Sequence, residues 1–227
     1  MKKIALIIAV SAILCAQQAE AAPALTAILT HDNVEHGADG ITRSTHYQER
    51  FIRNENRVWI ERVLPAPSTR SASSQKVHLH AAHDELNIQL APRLIGVTDQ
   101  GAAQLTLVDE EQHVIYAVGA EDYERTGFSG RWLAEQSLID PASLRRMRKL
   151  SRPAPAGATW YTQETPGEYT RILWNERLKF PLVIETGSHN GHISNRTSVK
   201  LSAVGNTPRP WRDLGEYRQR ELSDLGD

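Results

Sequence analysis

Along the chain, apolar positions come in short runs at a spacing of two, cut by turn residues, with little sustained helical periodicity. Leu25–Thr30, Ile41–Phe51 and Asn56–Leu64 read as the first strands, followed by a Pro- and Ser-rich loop from Pro65 through Pro67 and Ser68 to Ser74. Gln104–Val108 and His113–Gly119, joined by Asp109, Glu110, Glu111 and Gln112, read as a hairpin with a four-residue loop. The pattern then changes. Asp140 before Pro141 is an N-cap followed by proline at the first helical position, where a missing N–H costs nothing. Leu144, Met147 and Leu150 would lie on one face of a short helix there.

The last third returns to strands: Thr159–Gln163, Glu168–Trp174, Pro181–Ser188 and Ile193–Leu201. The final run alternates, with Ile193, Val199 and Leu201 on one face and His192, Arg196 and Lys200 on the other, so one side of it is wet. Asn190-Gly191 ahead of it is a strong hairpin signal, because both residues tolerate positive φ. A two-residue loop there would set His189 and His192 opposite each other. The chain thus reads as mainly β, ending in an antiparallel sheet. The Pro-, Arg- and acid-rich residues 205–227, with Trp211 and Tyr217 as their aromatics, read as a loosely attached extension.

The N-terminus carries a different pattern. Lys2 and Lys3 precede an apolar run from Ile4 to Cys15, and Ala19-Glu20-Ala21 offers small residues at both recognition positions of a cleavage site. This is the tripartite signal-peptide arrangement, with cleavage expected after Ala21 and a periplasmic destination. The run is shorter than the ~20 residues needed to span a bilayer, so no transmembrane span is expected after cleavage. Lipoprotein processing at Cys15 is disfavoured by the bulky Leu14 before it. The expected organisation is therefore a signal peptide over 1–21, a single β-rich domain over 22–204 and a polar extension over 205–227.

Composition narrows the function classes. Cys15 is the single cysteine of the 227 residues, so the mature chain has no disulfide, no thiolate metal site and no cysteine nucleophile. Losing Lys2, Lys3 and Glu20 leaves 24 basic against 26 acidic residues, a net charge of −2, which gives no footprint for nucleic acid. Stability must come from an ordinary core, and a chain of this size can bury roughly 70% of its unfolded surface in one domain.

The candidate chemistry is thin. Gly127-Phe128-Ser129-Gly130 lacks the spacing of a nucleophile elbow, and the chain has neither a phosphate-cradling glycine loop nor a His-Glu-x-x-His zinc helix. The carboxylates of Asp109-Glu110-Glu111 and Glu121-Asp122 sit in polar, turn-like contexts. A non-enzymatic role with no cofactor is expected. The alternative is a metal site for Zn or Cu at His78, His80 and His83, where a strand would place the first two on one face. The string imitates His-x-His-x-Asp-His, but Ala82 stands where the aspartate belongs. The basic run Arg145, Arg146, Arg148, Lys149 and Arg152 could meet anionic headgroups or an acidic partner, or simply be a solvated face.

Residues 169–185, from Tyr169 through Trp174-Asn175-Glu176-Arg177-Leu178-Lys179-Phe180-Pro181 to Glu185, continue through a polar turn to Ser198-Val199-Lys200-Leu201. Together with Asn54-Glu55-Asn56-Arg57-Val58-Trp59-Ile60-Glu61, this stretch resembles the periplasmic LolA-like lipoprotein carriers and outer-membrane lipoprotein-sorting proteins. Their hallmark is a strand ending in Trp, a short link, a Pro that opens the next strand and a final hairpin. The resemblance implies a curved antiparallel sheet, or half-open β-barrel, with a short helical lid over a cavity for a lipid or lipoprotein acyl chain. Val58, Ile60, Leu107, Ile115, Ile172, Leu182 and Ile184 are the candidate lining, though such residues also read as plain core. No catalytic residue carries over, because the known family members are carriers. A third possibility is an envelope-complex subunit that docks a protein partner through Trp211 to Tyr217.

Overall fold

The computed structural model describes residues 22–64, 86–98, 100–202 and 208–225. They form one twelve-stranded open sheet with a few short helical turns, a mainly β architecture with minor α. The strands are β1 (Leu25–His36), β2 (Thr42–Asn54), β3 (Arg57–Arg62), β4 (Arg93–Val97), β5 (Ala103–Asp109) and β6 (Val114–Ala117). They continue as β7 (Arg148–Leu150), β8 (Ala158–Glu164), β9 (Glu168–Asn175), β10 (Phe180–Ser188), β11 (Ile193–Leu201) and β12 (Arg218–Glu221).

The order β12-β6-β5-β4-β3-β2-β1-β11-β10-β9-β8-β7 is two antiparallel meanders joined at the centre, where β1 pairs with β11 from Ala27↔Leu201 to Glu35↔Ile193. Only the β12–β6 pair is parallel. β6 and β7 therefore lie toward opposite ends of the sheet, and the chain between them has to travel across it. That crossing segment holds α1 (Tyr123–Thr126), α2 (Trp132–Ser137) and a 3-10 turn over Pro141–Arg146.

Alternation along the strands builds two faces. Ala27 and Leu29 of β1, Phe51 of β2, Val58 of β3, Ile95 of β4, Leu105 and Leu107 of β5 and Tyr116 of β6 form the main core, closed by Phe128 and Phe180. On the other face Ile52, Trp59 and Val108 make a smaller cluster. Trp211 and Leu214 bury themselves in that cluster, His113 meets the Tyr217 ring, and Leu222 enters the main core. Residues 208–225 are thus packed onto the sheet rather than loosely attached, because their few large apolar groups recur at positions that meet it.

The sequence reading and the strands agree closely over the hairpins, and β11 spans Ile193–Leu201 as expected. The expected helix after Asp140 is shorter. Asp140 does cap it, its Oδ1 accepting from the Ala142 N–H at 2.9 Å, but the turn ends at Arg146 and the chain becomes β7. Lys149 and Leu150 lie on that edge strand and not on a helix face. β4, which the hydrophobic pattern did not single out, pairs with both β3 and β5. Residues 1–21, where the signal peptide is expected, and His78, His80 and His83 lie outside the described residues. No helix among the described residues is long and apolar enough to cross a membrane.

Candidate functional site

A cavity of about 700 Å³ lies where the crossing segment passes over the β7–β9 end of the sheet. Its walls come from four places: α2 gives Leu133, Gln136 and Ser137, and the 3-10 turn gives Pro141, Leu144 and Arg145. Met147 and Lys149 follow on the chain, Tyr161 and Trp174 come from the sheet and Glu176 and Lys179 from the β9–β10 turn, with Ala22 at the edge. The volume falls within the roughly 300–1,000 Å³ of small-molecule sites.

Local sequence explains why the crossing segment stands off the sheet instead of collapsing onto it. Leu138 takes a left-handed conformation, φ 58°, which ends α2. Asp140 and Pro141 then start the next turn at a new angle, with Ser143 Oγ donating to the Asp140 carbonyl at 2.7 Å. On the sheet side, Lys179 also has positive φ, and Asn175 Oδ1 accepts from the Leu178 N–H at 2.9 Å, which closes the β9–β10 turn.

Arg53 ties these pieces together. It is fully buried on β2 and donates to the carbonyls of Gln136 at 2.7 Å, Leu178 at 2.6 Å, Lys179 at 3.3 Å and Pro23 at 3.0 Å. Burial pushes its guanidinium down to about 10, which still leaves it charged at neutral pH. Its five fixed donors suit four converging carbonyls as no lysine could. The apolar setting of Phe51-Ile52-Arg53 in the sequence gave no sign of this role beyond an arginine at a core-facing strand position.

The polar side of the cavity is organised by Glu176. One carboxylate oxygen accepts from Tyr161 Oη at 3.2 Å and the other from Trp174 Nε1 at 3.1 Å. Burial, and then the hydrogen bond and charge of Glu176, raise the Tyr161 phenol above its ordinary value, so it stays protonated as a donor. Arg145, Lys149 and Lys179 are the other charged lining residues, three cations beside one engaged carboxylate.

The seven strand residues expected to line a cavity are distributed differently. Val58 and Leu107 are fully buried in the main core and Ile60 packs against it. Ile115 joins the Trp59 face and edges a 450 Å³ cleft with Gln219 and Arg220. Leu182 packs with Trp160, Leu173 and Val183. Ile172 and Ile184 belong to the cluster of Leu144, Tyr161 and Trp174, which is the wall beneath the cavity. Of the cavity's own residues, Leu144 and Met147 were legible as an apolar face and Trp174 as a strand-ending tryptophan. Leu133 and Lys179 carried no signal.

His189 and His192 have separate partners. The His189 ring turns to the Thr165 carbonyl, 3.1 Å away, and toward Tyr169, while the His192 carbonyl accepts from the His36 N–H. The strands end at Ser188 and resume at Ile193, so the loop between them is four residues long rather than two. Among the described residues no group of three His, Cys, Asp or Glu side chains is arranged to hold a metal ion.

No protein-family model and no curated protein sequence matches the chain. Among solved structures, the chain is similar to PNGF-II, with a TM-score of 0.38 and 11% identity over 88% of this chain, and it spans only 32% of that protein's length. It is similar to an outer membrane lipoprotein-sorting protein domain from Vibrio parahaemolyticus, with a TM-score of 0.31 and 9% identity over 79% of this chain and 86% of the other. It is likewise similar to a LolA superfamily protein from Nitrosomonas europaea, with a TM-score of 0.32 and 7% identity over 78% of this chain and 84% of the other.

Proposed function

We propose that this chain is a periplasmic binding or carrier protein that holds a hydrophobic ligand, a lipid or lipoprotein acyl chain, between the crossing segment and the β7–β9 end of the sheet. The observation that carries the reading is the cavity itself, where Leu133, Leu144, Met147 and Trp174 bring apolar surface together around about 700 Å³. Leu133 is 55% exposed there and offers apolar area for a ligand to cover. Apolar ligand area removed from water contributes roughly 25 cal/mol per Å², so one buried acyl chain supplies ample driving force. The signal-peptide pattern of residues 1–21 supports the periplasmic setting.

The test is titration of the mature protein with an uncharged fluorescent acyl probe. Saturable one-to-one binding is expected, with Met147→Asp and Leu133→Asp each weakening it at least about tenfold, because a charge in the apolar wall must be desolvated. Absence of saturable binding, or binding indifferent to both substitutions, would refute the proposal.

A further inference from the structure

We infer that the ligand is an anionic amphiphile, a single acyl chain ending in a carboxylate or phosphate head. The inference rests on the cavity binding proposed above, and it follows from the charge on the cavity's rim. Arg145 on the 3-10 turn, Lys149 on β7 and Lys179 in the β9–β10 turn line the same cavity from three elements. Other arginines are paired: Arg152 and Arg196 with Glu185, Arg171 with Glu164, and Arg131 with Asp140. Arg145 and Lys149 make no ion pair among the described residues, although a carboxylate stands in the same cavity.

That carboxylate is Glu176, and both its oxygens are already taken, one by the Tyr161 hydroxyl and one by the Trp174 indole N–H. Tyr161, which donates to that carboxylate, is the register partner of Lys149 on β7. The cavity therefore offers an apolar wall and, at Arg145 and Lys149, positive charge that no ion pair among the described residues neutralises. A neutral chain would use only the wall. An anionic head beside Arg145, Lys149 and Lys179 would gain charge-assisted hydrogen bonds while its tail lies along Leu133, Leu144 and Met147.

The mature protein, loaded with the uncharged acyl probe, is competed with four molecules that share one tail: hexadecanoate, hexadecyl phosphate, hexadecanol and hexadecylammonium. Hexadecanoate and hexadecyl phosphate are expected to displace the probe at concentrations about tenfold or more below those of hexadecanol. The preference should shrink as salt is added. Hexadecylammonium should be the weakest, and whichever anion is stronger identifies the head. The variant R145Q/K149Q/K179Q is expected to lose the anion preference, while an unchanged midpoint in urea denaturation reports an intact fold.

Equal displacement by hexadecanol and hexadecanoate, or an anion preference that survives in the triple variant, overturns the inference and leaves the acyl-binding function standing. Failure of all four competitors and of the probe itself would instead remove the function on which the inference rests.

Discussion

The rings of Phe51 on β2 and Phe180 at the start of β10 are 4.9 Å apart, although their strands are three places apart in the sheet. In a flat sheet, neighbouring strands are about 4.8 Å apart, which would separate these two by about 14 Å. The contact therefore requires the sheet to curl, and a register irregularity between Pro181 and Val183 of β10 sits at the bend. Curling is what turns a single layer into a shell with an inside.

Phe180→Ala should be costly because both rings are fully buried and the contact spans the curl. The expected loss is about 3–5 kcal/mol in unfolding free energy. Urea denaturation followed by tryptophan fluorescence measures it, and a loss below about 1 kcal/mol would mean that the ring pair does not hold the curvature.

Arg53→Lys should behave as a severe substitution despite conserving charge. The guanidinium bonds carbonyls from just before β1, from α2 and from the β9–β10 turn, and an ammonium cannot serve four acceptors in those directions. Leaving buried carbonyls unpaired costs roughly 1–3 kcal/mol each, so a loss of about 3 kcal/mol is expected overall. The same variant should also weaken acyl-probe binding, since Gln136 and Lys179, two residues of the cavity wall, are among those released. Denaturation and probe titration on one preparation check both effects.

The strands were legible where one face is wet. β11 could be delimited because Arg196 and Lys200 alternate with Val199 and Leu201. β4 was not, since Leu94 packs on the Trp59 face and Ile95 in the main core, and a strand buried on both sides shows no period of two. The cavity was harder still. Leu133, Met147, Trp174 and Lys179 are far apart in sequence and meet only because β6 and β7 lie toward opposite ends of the sheet, which no local pattern encodes. The prospective lining residues on β3 and β5 were apolar for a simpler reason, as members of the core.

Two phenols should ionise late in an alkaline titration. Burial, followed by the nearby Glu49, raises Tyr47, and burial, followed by Glu176, raises Tyr161. A phenol whose folded pKa lies above its unfolded value of about 10 favours the protonated folded state. Its contribution to stability is complete below pH 10 and is lost as the pH rises through the raised value. Phenolate absorbance should therefore show Tyr47 and Tyr161 titrating above the ordinary tyrosine value of about 10. Glu176→Gln should bring Tyr161 partway down, leaving it raised by burial, and should leave Tyr47 unmoved.

Removing the C-terminal residues from 208 onward should convert a well-behaved protein into an aggregating one. β12 runs parallel to β6 and covers its edge over Val114–Ala117, and without it β6 would present unpaired backbone groups to other molecules. The same truncation uncovers Trp59, Ile52 and Val108, fully buried residues that Trp211 and Leu214 now pack against, and withdraws Leu222 from the main core. Edge exposure and core loss act together here, and they can be separated. Trp211→Ala keeps β12 in place and should cost about 3–5 kcal/mol of stability while the protein stays monodisperse. The truncation should cost more and also raise the scattering mass with concentration. Light scattering on the two variants decides the matter: a monodisperse truncation with only a modest stability loss would show that this segment is dispensable to the fold, leaving its aromatic face free for a protein partner.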